Sequence, residues 1–143
     1  MLKLRTSQYD EIRRHGEETY PDECCGILLG VSDGDERSVR ATMRCENACT
    51  ESRENRYHID PREVIRAQRS ARDEGLEIVG FYHSHPDHSA RWSQTDLEEA
   101  HWIGCSYVIT KVAGGKASET NSFALTGALE EDKALVEEEV VVE

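Results

Sequence analysis

Two histidines one residue apart, His83 and His85, are followed at short offsets by Ser93 and Asp96. Residues i and i+2 of an extended segment project from the same face, so both imidazoles can reach one point. A carboxylate three residues beyond Ser93 can complete a ligand set. Two His and one Asp, with a fourth position left for water, make the open zinc site of a hydrolase, whereas a structural zinc takes four protein ligands. A plainer reading exists for half of this pattern: Ser-x-x-Asp ahead of a helix is what capping alone produces. An aspartate that binds a metal has oxygens poorly placed to close a capping box, so the two readings compete for the same atoms.

The elements that must position these residues can be read from the periodicity. Leu76 to Tyr82 (LEIVGFY) is a nearly continuous apolar run, expected of a central strand covered on both faces, and it leads straight into His83. The ends of such strands are where sites gather. A helix is expected from Gln94 to His101, opened by Ser93. Upstream, a helix runs from about Ser7 to Glu18 and ends before Tyr20-Pro21. Residues 25–31 (CGILLGV) form a buried strand, with Ser32 to Asp35 as turn chemistry leading to an alternating strand from Ser38 to Arg44. Glu46 to Asn55 reads as a loop and Tyr57-His58-Ile59 as a short return strand. Asp60-Pro61 opens a helix that stops near Gly75. Two further strands, Ser106 to Lys111 and Ser122 to Leu125, flank the Gly114-Gly115 turn. The acidic tail from 130 to 143 ends in Val140-Val141-Val142 and is compatible with an edge strand, a helix end or a frayed terminus.

With 143 residues the chain fits one domain, and its pattern of elements is α/β. Its 17 basic against 29 acidic residues, a formal charge of −12, oppose nucleic-acid binding, since phosphates need a positive footprint. No apolar run approaches the ~18 residues of a membrane span, and the opening segment lacks a signal-peptide core, so a cytoplasmic protein with no membrane partner is expected. The odd set Cys24, Cys25, Cys45, Cys49 and Cys105 points to reduced thiols, and Cys45/Cys49 lack the second pair of a zinc ribbon.

The spacing His83-x-His85, seven residues, Ser93, two residues, Asp96 resembles the signature of the JAMM, or MPN-plus, zinc metalloproteases at every position. The likeness extends to Pro21 through Gly30 (PDECCGILLG), to Asn47, to Asp60-Pro61 and to Tyr107-Val108-Ile109, covering roughly residues 8 to 125. The resemblance implies a curved mixed sheet flanked by helices, the MPN or cytidine deaminase-like fold. It implies one Zn2+ held by His83, His85 and Asp96, with Glu23 deprotonating a water and Ser93 donating to the oxyanion. Spacing alone would leave Glu23 a solvated surface residue. The implied substrate is the Gly-Gly tail of a ubiquitin-like or sulfur-carrier protein. Family members often carry proline before the motif serine; here stands Trp92, placed to line a substrate channel or to cover the strand end. A non-catalytic scaffold of the same fold is the alternative, and a nucleobase deaminase is excluded because no His-x-Glu with Pro-Cys-x-x-Cys is present.

Overall fold

A computed structural model describes residues 1–143 as a single curled, eight-stranded mixed sheet with three helices. The elements in order are β1 (Leu2–Leu4), α1 (Thr6–Thr19), β2 (Cys25–Asp33), β3 (Glu36–Cys45), α2 (Pro61–Asp73), β4 (Glu77–Pro86), α3 (Gln94–Glu99), β5 (Ser106–Ala113), β6 (Lys116–Thr126), β7 (Ala134–Glu138) and β8 (Val140–Val142). Across the sheet they run β7-β6-β5-β4-β2-β3-β1-β8. The two outermost strands, β7 and β8, are separated in sequence by Glu139 alone. Such a short link joins opposite edges only if the sheet curls until they meet, which gives a near-barrel. Glu138 of β7 meets the Met1 amino group ahead of β1 at 2.9 Å and Arg37 of β3 at 3.2 Å across that closure. The acidic tail is therefore two strands that close the sheet.

β4 is central and buried along almost its whole length, and its residues divide between two cores, with a register shift against β2 between Ile78 and Gly80. Val79 and Tyr82 pack with Leu2, Ile12, Leu28 and Val108 on the α1 side. Phe81 packs with Ile27, Tyr107 and Ile109 on the α2 side, where Ala67 and Ala71 of α2 are buried. Tyr82 lies against Gly26 so closely that a Cβ there would overlap the phenol ring, which requires glycine at 26. The Tyr82 hydroxyl meets His15 Nδ1 of α1 at 2.7 Å. The expected Gly114-Gly115 turn joins β5 to β6 with both residues at positive φ, as a tight hairpin demands.

The strand that the apolar run leads into carries the histidines as expected, running through His83, Ser84 and His85 to Pro86 and pairing in parallel with β5 from Gly80 to Pro86. Two expectations need correction. The helix after Ser93 stops at Glu99, two residues early, where Lys133 Nζ arrives to bond the Glu98 and Ala100 carbonyls at 3.1 and 2.8 Å. Tyr57-His58-Ile59 is irregular. The Asn47 side chain takes over its backbone groups, accepting from His58 N–H at 3.2 Å and donating to Arg56 O at 3.0 Å, so no ladder forms. Strand β1 escapes sequence patterning because it is only three residues long.

Candidate active site

Antiparallel pairing of β2 with β4 places Cys25 opposite His83 and Gly26 opposite Tyr82. One residue back, Ser84 N–H donates to Cys24 O at 3.3 Å and Cys24 N–H to Ser84 Oγ at 2.8 Å. Continuing that register sets Glu23 level with His85. Opposed residues share a face, so Glu23, His83 and His85 look the same way, while Ser84 faces α1. Glu23 itself is held through its main chain: its N–H donates to Arg53 O at 2.7 Å, and its carbonyl accepts from Asn47 Nδ2 at 3.2 Å.

Asp96 arrives from the other side of the strand end. The loop after β4 turns at Asp87, which adopts φ +61, and its carboxylate is pinned by Gly114 N–H at 2.8 Å and Tyr20 OH at 2.6 Å. Asn121 Nδ2 anchors the buried Ala90 through its carbonyl at 2.9 Å. The chain then caps α3 with Ser93, and the first turn of that helix aims Asp96 back at the histidines. His83 Nε2 lies 3.2 Å from His85 Nε2 and 3.2 Å from Asp96 Oδ1, and His85 Nε2 lies 3.2 Å from Asp96 Oδ2.

The tautomer of His85 follows from its other nitrogen. Nδ1 sits 2.7 Å from Ser89 O, an acceptor only, so Nδ1 carries a proton and, in the neutral ring, Nε2 turns its lone pair inward. Burial pushes the His83 pKa down, outweighing the pull of Asp96, which disfavours an imidazolium there. Burial alone would raise Asp96, yet His83, His85 and the Ser93 N–H hold it well below the usual carboxylate range. Two imidazole nitrogens and an ionised carboxylate thus converge where a cation would satisfy all three, and this nitrogen-and-oxygen set fits Zn2+.

Glu23 is 2% exposed, and its Oε1 has no hydrogen-bond partner. Burial first, then repulsion from Asp96 and Glu99, pushes its pKa up to about 9. An unpartnered buried carboxyl beside a ligand cluster is a strained arrangement for structure alone and a suitable one for moving a proton. The Ser93 hydroxyl accepts from Asp96 N–H at 3.1 Å, which leaves its own proton free to donate outward. Trp92 is 37% exposed beside it.

A hollow of about 540 Å³ opens beside the cluster, lined by Tyr57, Ile59, Val64, Phe81, Trp102 and Tyr107 among others. Trp92 is not part of that lining; Tyr57 and Trp102 supply the aromatic walls. Sequence reading passed over both. An aromatic residue three positions ahead of the Asp60-Pro61 helix start was the available signal for Tyr57.

The family of prokaryotic homologs of the JAB domain matches residues 5–126, most of the chain. This chain is a prokaryotic JAB-domain protein. Among curated relatives of this JAB-domain protein is a desampylase from Haloferax volcanii, 37% identical over 117 residues, covering 79% of this chain and 82% of that protein. A CysO-cysteine peptidase from Mycobacterium tuberculosis is 30% identical over 142 residues, covering 97% of this chain and 93% of the other. A JAB1/MPN domain protein from Archaeoglobus fulgidus superposes with a TM-score of 0.60 over 100% of this chain and 97% of that one; at 17% identity it speaks to the fold alone. The JAB domain thus carries the curved mixed sheet with flanking helices that the sequence motif implied. No helix in it is long and apolar enough to cross a membrane.

Proposed function

We propose that this JAB-domain protein is a zinc-dependent peptidase or isopeptidase that cleaves after the Gly-Gly tail of a ubiquitin-like or sulfur-carrier protein. The observation that carries the reading is the convergence of His83, His85 and Asp96 on one point, with Glu23 level with His85 on the same face. Relatives named as a desampylase and a CysO-cysteine peptidase support the substrate class. His83, His85 and Asp96 are the residues that would hold the metal. When bound, zinc supplies the Lewis acidity that brings the pKa of a water from ~16 toward ~7.

A divalent cation beside it would favour the ionised form of the buried Glu23 carboxyl, and as a carboxylate Glu23 is the general base: its free Oε1 accepts a proton from the attacking water and returns it to the departing amine. Ser93 donates its free hydroxyl proton to the oxygen of the carbonyl under attack. Trp92, exposed beside Ser93, forms an apolar rim for the substrate chain. Paired glycines suit this site, since a tail without side chains brings its backbone close to buried ligands. The compartment proposed for this activity is the cytoplasm.

The test is incubation with a ubiquitin-like protein extended past its Gly-Gly end, comparing the parent with Glu23→Gln. Zinc-dependent cleavage after the second glycine is expected from the parent and not from the variant; equal cleavage by both removes Glu23 from the mechanism. Purified protein that contains no zinc and takes up none would favour the scaffold reading.

A further inference from the structure

The two histidines of the cluster are held in different ways. His85 is oriented by the hydrogen bond from Nδ1 to Ser89 O at 2.7 Å. His83, equally buried, has no partner at all on Nδ1. A metal-binding histidine normally donates its second N–H to an acceptor, and that bond fixes ring orientation and tautomer. What His83 has in its place is a ring: Tyr57 lies against it with centroids 4.4 Å apart and planes inclined by 24°, a stacked pair.

Tyr57 is in turn placed with unusual care for a residue in irregular chain. The groups on either side of it, Arg56 O and His58 N–H, are both bound by the one Asn47 side chain. The same Asn47 amide holds the Glu23 carbonyl at 3.2 Å. One asparagine therefore ties the position of the stacking ring to that of the buried glutamate, and Tyr57 also packs against the apolar core on the α2 side.

We infer that Tyr57 is the positioning residue of His83, its stacked ring setting the imidazole orientation that a hydrogen bond sets for His85. The inference rests on the metal reading of the cluster. The contact is made by the ring, so Tyr57→Phe preserves it, whereas Tyr57→Leu and Tyr57→Met keep apolar bulk and remove the stacked plane.

The experiment measures zinc affinity by competition with a chromophoric chelator, together with the visible spectrum of the Co2+-substituted protein, with folding of each variant checked by thermal melts. Outer partners of metal ligands are worth roughly 10–100-fold in affinity. Tyr57→Leu and Tyr57→Met are expected to bind zinc about tenfold more weakly with an altered cobalt spectrum, and Tyr57→Phe to match the parent in both. Parent-like affinity and spectrum in folded Tyr57→Leu or Tyr57→Met would overturn the inference, as would a tenfold loss in Tyr57→Phe. A parent that takes up no zinc overturns the metal reading itself, a result separable from failure in the variants alone.

Discussion

Ser93 and Asp96 bind each other twice: Asp96 N–H donates to Ser93 Oγ at 3.1 Å, and Ser93 N–H donates to Asp96 Oδ2 at 2.9 Å. The same carboxylate faces His83 and His85 at 3.2 Å each. Capping and ligation were expected to exclude one another. The cap and the approach to both histidines coexist because an ionised carboxylate offers about four lone-pair directions, and Oδ2 turns one toward the Ser93 N–H and another toward His85. The helix cap is thus the device that aims the Asp96 carboxylate at the histidines.

Separate substitutions should divide these roles. Ser93→Ala is expected to retain zinc, lower kcat by ~10²–10³ and cost about 1 kcal/mol of stability through the lost cap. Asp96→Asn keeps an oxygen for the Ser93 N–H and is expected to lose the metal with little change in melting temperature of the metal-free protein. Zinc content, cleavage rate and melts of both variants distinguish the cases; loss of zinc in Ser93→Ala would contradict the assignment.

Stability should fall between pH 6.5 and 4 on account of His15. Burial, and secondarily the cation Arg44 of β3, push its pKa down to about 4 against the opposing pull of Glu11 and Glu18 on its own helix. Between the two values the unfolded chain binds more protons than the folded one, so stability is fully present above about pH 6.5 and declines as pH falls toward 4. His15→Gln is expected to flatten that part of the melting-temperature profile relative to the parent. Parallel profiles would remove His15 as the cause.

Closure of the sheet should depend on Glu138. From β7 its carboxylate accepts from Arg37 at 3.2 Å, Ser106 at 2.6 Å and Ser122 at 2.8 Å, joining β3, β5 and β6 in a buried cluster. Removing one partner strands the Arg37 charge, and such breaks cost about 3 kcal/mol. Glu138→Ala is therefore expected to lower the melting temperature by roughly 10 °C. A double variant with Arg37→Met should recover part of the loss; no recovery would mean that the charge left behind is not the cause.

The proposed ligand set and its carrier strand were legible in the chain because both are local. Alternation puts His83 and His85 on one face whatever surrounds them, and the apolar run before them marks a central strand. Ser93 and Asp96 declare a helix start by type and spacing. Glu23 was reachable only through the resemblance of its surrounding segment, since 60 residues of chain carry no distance information. It meets the histidines because β2 runs antiparallel beside β4 in a register that sets it level with His85. The roles of Tyr57 and Asn47 also needed the tertiary structure: stacking on His83 and a shared hold on Glu23 and Arg56 are contacts between segments far apart in sequence. The acidic tail is the clearest case, for its composition fits an edge strand, a helix end or a frayed end equally. What decides is the unpaired edge presented by β6 on one side and β1 on the other, which two short strands joined at Glu139 satisfy together.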